Sequence, residues 1–326
     1  VNSSVGLQQL IEDNLVQNSC VEISNITSSV NGNSQGLPSY AYFEKGSSNF
    51  PFQNGIMLST GNAASGGNNP IATTLSEGAS VWGTDPDLET ALGISNTLNA
   101  TSIEFDIVSI SNRLQFNYLL ASEEYSGTNP CQYSDGFALL IKEAGSSNPY
   151  QNIALVPGTS TPVNTNTIHD AIYPACLAQN AQYFDGYNMG DTNYNGRTTV
   201  LTASATIVPY TTYHIKLIIA DQSDFQSDSA VFIEGNSFKI LDLGDDITTC
   251  ASSALLNADI QNPLAIYQWF FNNSTTPIPG QNNATLNVIQ NGTYRVEVTV
   301  PLNSASCVEE DEIVVTLNTE EPITPI

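Results

Sequence analysis

Apolar residues along this 326-residue chain gather in short runs, and two pairs of runs share one arrangement. In Thr212–Phe238 (TYHIKLIIADQSDFQSDSAVFIEGNSF) the runs His214–Ala220 and Ala230–Ile233 flank a loop carrying Asp221, Asp224 and Asp228. That pattern predicts two strands joined by an acidic connection. Phe116–Tyr125 (FNYLLASEEY) predicts a strand ending in Glu123 and Glu124. After a turn at Asn129–Pro130, Ser134–Ile141 (SDGFALLI) begins the next strand behind Asp135. Strand ends placed on one edge of a sandwich would bring these carboxylates together.

The remaining pattern is also strand-like. Ser4–Val16 spaces Val5, Leu7, Leu10, Ile11 and Val16 at helical intervals and predicts a short opening helix, the only one expected. Short strands follow near Val21–Ile26 and Ile56–Leu58, and Thr101–Ser109 alternates as a half-buried strand. Asp85 and Asp87 around Pro86 read as turn chemistry, with at most a helical turn beyond them. A strand opens Asn152–His169, the segment up to Arg197 reads as the longest loop, and Arg197–Ile207 resumes a β-branched strand. After Phe238 short strands recur about every ten residues, as in a small immunoglobulin-like sandwich. There Trp269 takes the third-strand core position and Tyr294 resembles a tyrosine corner. The expected organisation is therefore all-β: a large jelly-roll-like or lectin-like sandwich over residues 1–240, an immunoglobulin-like module over 241–318, and a Pro-containing linker at 319–326.

Composition narrows the partners. Seven Lys plus Arg stand against 32 Asp plus Glu, a formal net charge of −25. Phosphate backbones and anionic membranes would be repelled, so nucleic acid and lipid surfaces are excluded as partners. No apolar run reaches the roughly 18 residues a spanning helix needs, so no membrane insertion is expected. Val1 opens without a leader pattern, as in processed, exported material. Five Cys suit an oxidising compartment. Cys250 and Cys307 share the second module and are expected to pair, Cys131 and Cys176 form the second expected pair, and Cys20 is left over.

Catalytic patterns are missing. His169 and His214 have no metal-ligand neighbours at zinc-motif spacing, and no G-x-S-x-G or H-E-x-x-H occurs. The Gly-rich loop after Leu58 has no following Lys to hold a phosphate. Glu104 and Asp106 share a strand face as in some glycosidases, but the next positions on that face are Val108 and Ile110. No enzyme is expected. The acids suit calcium better, because Ca²⁺ takes six to eight oxygens from carboxylates, amides and loop carbonyls. Asp221, Asp224 and Asp228 have the spacing of a compact loop site, with Glu123, Glu124 and Asp135 as contributors. The alternative is that they cap turns and solvate an acidic surface. Tyr173, Tyr183, Phe184, Tyr187, Asn188 and Tyr194 crowd one loop with the aromatic faces and amides that bind sugars; Tyr183, Tyr187, Asn188 and Tyr194 are the candidates.

The ordered series NGIMLSTGN, WGTDPDLE, FNYLLASEEY, SDGFALLI, NIALVPGT, NGRTTVLTA, TYHIKLIIAD and DSAVFIE resembles the choice-of-anchor L domain of secreted and surface proteins of Bacteroidota, over about Val5 to Phe238. The following module, opening with LGDDITTC, is similar to gliding-motility and adhesin-type modules. The resemblance implies export by the type IX secretion machinery through a C-terminal sorting domain that this stretch lacks. It supplies no catalytic residues. It implies an adhesin-type module that binds a surface glycan or a protein ligand, the alternative being a structural spacer or a polysaccharide-targeting accessory domain.

Overall fold

The computed structural model describes residues 1–16, 20–67, 71–77, 82–301 and 306–318; the expected linker at 319–326 lies outside these. The chain divides into two compact units. The first comprises Val1–Val108, Gln115–Ala205 and Thr212–Phe238, and the second Ser109–Leu114, Thr206–Thr211 and Lys239–Ile326. The division after Phe238 coincides with the change of pattern there, but two short segments from earlier in the chain group with the second unit.

The first unit is a sandwich of two sheets. One sheet runs in the order β1 (Val21–Thr27), β4 (Thr97–Ser109), β11 (Thr212–Gln222), β6 (Gly136–Glu143), β7 (Gln151–Asn152). The other runs β2 (Tyr40–Glu44), β3 (Asn54–Ser59), β12 (Ser229–Glu234), β5 (Arg113–Ser122), β9 (Gly196–Thr198), β8 (Phe184–Tyr187), with β10 (Leu201–Thr206) also on β5. The pairings that carry the acidic segments are antiparallel. Central strands are buried on both faces, which is why they read as unbroken apolar runs and not as alternations. One apolar layer gathers Phe43, Phe50, Met57, Leu119 and Phe232; another gathers Leu88, Ala138, Leu140 and Ile218.

The second layer exists because of a helix where the sequence pattern predicts a turn. Besides the short α1 (Leu7–Gln9), which continues as a wider π-helical stretch to Val16, helix α2 runs Pro86–Leu92. Asp85 caps α2 by accepting from Leu88 N at 2.9 Å, Pro86 occupies the first turn, and Gly93 ends it at φ 67°. Its Leu88 is fully buried in the layer over the sheet. The turn signals around Pro86 were therefore helix-start signals.

Expected Arg197–Ile207 divides into β9 and β10, and the loop before it contains β8.

The second unit holds a four-stranded sheet, β13 (Ile247–Thr249), β18 (Ser306–Leu317), β17 (Gly292–Pro301), β15 (Ile266–Phe271), and a two-stranded one, β14 (Ala254–Asn257) with β16 (Thr285–Val288). Trp269 on β15 is fully buried, and its Nε1 donates to Asn283 O at 2.9 Å. Tyr294 donates its hydroxyl to Gln290 O, four residues upstream, at 2.9 Å. Cys250 is an exposed free thiol, so the expected Cys250–Cys307 bond is not formed. Thr249 pairs with Leu317 of β18, ten positions from Cys307, or roughly 33 Å of extended strand, far beyond disulfide reach. Cys20, expected to be left over, is disulfide-bonded; Cys250 holds the free thiol.

Candidate functional site

Both acidic connections cross from one sheet to the other at the same end of the first sandwich. Ser229, opening β12, pairs with Ser122 at the end of β5. Ala220 on β11 pairs with Gly136 at the start of β6, and Asp221 with Leu98 near the start of β4. Asp135, Asp221, Asp228, Glu123 and Glu124 therefore all stand at one end, and all five are buried. Burial is what the sequence did not show, since acidic loops normally face water.

Each carboxylate is held by its surroundings. Asp228 accepts Glu77 N with both oxygens, at 3.1 Å each. It sits so close over Gly61 that a Cβ there would stand 2.0 Å from its Oδ2. Asp135 accepts Gln222 N on Oδ1 at 3.3 Å and Ser229 Oγ on Oδ2. Glu124 Oε2 accepts Asp135 N and Thr165 Oγ1, both at 3.0 Å. Asp221 Oδ2 accepts Asn99 Nδ2 at 3.0 Å, and Glu123 Oε1 accepts Leu75 N at 3.2 Å. The remaining oxygens, Asp221 Oδ1 and Glu123 Oε2, are buried without a hydrogen-bond partner, on residues only 1% exposed. Among the described residues no Lys or Arg pairs with Glu123, Glu124, Asp135 or Asp221. Asn99 and Thr165, which donate to these acids, come from segments with no charge signal in the sequence.

The electrostatics follow from this crowding. Burial raises Asp221, and the charges of Asp228 and Glu124 raise it further against its hydrogen bonds. Burial, then Glu124 and Asp221, likewise hold Asp135 well above the ordinary carboxylate range. Burial pushes Glu124 up to about 7, with Asp224 adding to it, and burial raises Glu123. Buried like charges of this kind are satisfied by protons or by a cation. No three of these carboxylates have oxygens all within 4.8 Å of one another among the described residues. A cation would therefore draw on hydroxyl and carbonyl oxygens as well, as Ca²⁺ does.

Asp224 differs from the other five. It is exposed and its Oδ1 accepts Gln226 N at 2.8 Å, so it caps a turn and acts on the cluster only through its charge on Glu124.

The aromatic loop divides too. Tyr194 is 3% exposed, its hydroxyl 3.3 Å from Ser59 Oγ and its ring packed with Phe232, so it belongs to the core and presents no face to a ligand. Its place in the core cluster with Met57 and Phe232 was concealed in the sequence by its polar neighbours. Tyr187 on β8 is 42% exposed and rests edge-on against Phe184, with ring centroids 4.7 Å apart. Asn188, at φ 49°, is exposed beside it, Tyr183 is half-buried, and Tyr173 is exposed. Cys131 and Cys176 are joined by a disulfide that ties this region to the turn after Glu124.

These features define the class as an all-β module: a two-sheet sandwich with a buried acidic end and an exposed, disulfide-tied aromatic loop. The choice-of-anchor L domain model matches residues 1–239, and the chain belongs to that family. Its domains are typical of surface-associated proteins, and the disulfides fit that setting. A search of curated proteins finds no match. No helix among the described residues is long and apolar enough to cross a membrane.

Proposed function

We propose that the chain is a non-enzymatic, adhesin-type binding module of a cell-surface or secreted protein, with calcium bracing its acidic end. One observation carries the calcium reading: two carboxylate oxygens, Asp221 Oδ1 and Glu123 Oε2, are buried without partners beside three more buried acids. Asp221 and Glu123 would hold the ion through these oxygens, with Asp135 and Glu124 next to it. Bound calcium would supply the positive charge that neutralises the cluster and locks the two sheet-crossing connections.

Glycan contact falls to the exposed part of the aromatic loop, Tyr187 and Asn188 with Tyr173, where a ring face and an amide stand together at the surface. The buried tryptophan and the corner tyrosine support reading the second unit as an immunoglobulin-like module. Delivery by the type IX secretion machinery of Bacteroidota completes this reading, on the motif resemblance. The test is thermal unfolding and a glycan-array screen, each run in millimolar calcium and in chelator. The reading expects a higher melting temperature with calcium and array hits lost in Tyr187→Ala. An unchanged melt removes calcium, and an empty array moves the ligand to protein.

A further inference from the structure

Lys216 is the one Lys or Arg in β11, and it is only 4% exposed. It stands where α2 meets the sheet, beside the layer formed by Leu88, Leu140 and Ile218. Its Nζ lies 2.6 Å from Asp85 Oδ2, 2.8 Å from Asp87 Oδ2 and 3.8 Å from Glu104 Oε1. The Asp85 side chain is 4% exposed, whereas that of Asp87 is 45% exposed. A buried amine is thus held against a buried carboxyl group, with a second acid within reach of the nitrogen.

We propose that Lys216 and Asp85 condense to an intramolecular isopeptide bond, with Glu104 carrying the protons. The lone pair of Nζ attacks Cγ of Asp85, an N–C bond forms, and the Cγ–Oδ2 bond breaks. The ammonium loses two protons, which leave with Oδ2 as water; the ammonium and carboxylate become a neutral amide, so charge and atoms balance without any co-reactant.

Four features of the site favour this reaction. Positioning two reactants in contact is worth effective molarities on the order of 10⁵–10⁸ M. The oxygen facing Nζ is Oδ2, while Oδ1 accepts Leu88 N at 2.9 Å. The departing oxygen is therefore the one the helix cap does not use, and the amide carbonyl keeps capping α2. Glu104 is fixed opposite Lys216 in the β4–β11 register, with Ser29 Oγ donating to its Oε1 at 2.5 Å. Finally, amide formation removes a buried ion pair, whose desolvation is costly, and burial keeps water from the product.

Two effects oppose the reaction. Against burial, which raises it, bonds from His214 and Ser29 and the charge of Lys216 hold Glu104 at about 2, so it carries a proton only in passing. Burial lowers the Lys216 pKa, but the hydrogen bonds of Asp85 and Asp87 and the charges of Asp85 and Glu104 outweigh it and hold the ammonium form. Proton transfer therefore precedes attack, and the bond forms slowly, once per molecule, after folding. Asp87, its side chain 45% exposed, loses its ionic partner when the amide forms and is left to water.

The deciding measurement is the mass of the full chain after reduction and denaturation, with a tryptic map. The expected result is a mass lower by one water, no cleavage after Lys216, and one branched peptide containing Asp85 and Lys216. Full sequence mass with normal cleavage after Lys216 overturns the proposal, as does water loss located elsewhere. Glu104→Gln should leave a large fraction of folded chains at full mass; complete bond formation in that variant overturns the proton-carrying role of Glu104. Lys216→Arg, which keeps the charge, should abolish the branched peptide, and the wild-type mass decides the matter even where that variant does not fold.

Discussion

Asn99 donates its side-chain amide to one oxygen of Asp221 at 3.0 Å, while the other oxygen of the same buried carboxylate meets no donor. A buried polar atom left unmade costs about 1–3 kcal/mol. Asp221→Asn removes the charge and adds an amide that can donate to the neighbouring acids. In chelator it should unfold at higher urea than wild type, by about 1–2 kcal/mol. It should also lose the calcium-induced rise, which for wild type at a hundredfold excess over the dissociation constant is about 2.7 kcal/mol. A variant that still gains stability from calcium would place the ion elsewhere.

Gly61 leaves the space that Asp228 fills. A Cβ there would stand 2.0 Å from Oδ2, and that carboxylate is tied to Glu77 N by both oxygens. Gly61→Ala should cost about 1–3 kcal/mol in urea unfolding, the range of local overpacking. A neutral result would mean that the Asp228 loop shifts freely.

His214 bridges two acids on the outer side of β4. Its bond with Glu104, 3.4 Å long, raises its pKa above 6.5 against the effect of burial, and Asp106 at 2.6 Å adds to the rise. A raised folded-state value means stabilisation that is fully present below about 6.5 and lost as pH rises through the folded value. Burial pushes Glu104 up, but bonds from His214 and Ser29 and the charge of Lys216 bring it down to about 2, so its share is present above 4.5 and lost only towards about 2. The stability advantage of wild type over His214→Gln should therefore shrink as pH climbs from 6.5. A difference independent of pH would show that His214 acts by packing alone.

Thiol chemistry separates the cysteines. Native protein should react with one equivalent of a thiol reagent, at Cys250, and Cys250→Ser should abolish the reaction. Replacing Cys131 and Cys176 together by Ser, across a separation of 45 residues, should cost about 2–4 kcal/mol. Labelling of Cys20 in the native state would contradict the structure.

Much of this was legible from pattern. Runs such as Phe116–Ala121 and Ile215–Ala220 announced strands because strands buried on both faces cannot hide their apolar character. The convergence of Glu123, Asp135, Asp221 and Asp228 followed from turns that cross between sheets at a common end. Burial was not legible: a local sequence shows charge, whereas depth depends on Asn99, Thr165 and Gly61 arriving from distant strands. Helix α2 is not legible as a helix because Asp85-Pro86 opens turns and helices equally, and only packing of Leu88 against β6 and β11 decides between them. The expected Cys131–Cys176 bond is formed, whereas the pairing of Cys250 with Cys307 failed for a related reason. Membership of one module does not bring Cys250 and Cys307 together when β18 holds them at opposite ends.

In the second unit, β13 runs parallel to β18, Ile247 to Thr249 pairing with Val315 to Leu317. Tension applied through the beginning of β13 and the end of β18 pulls these neighbours past each other along their length. Their hydrogen bonds lie across that pull, so they must break together and cannot be peeled singly. The module would yield to stretching as a latch that holds to a threshold and then lets go.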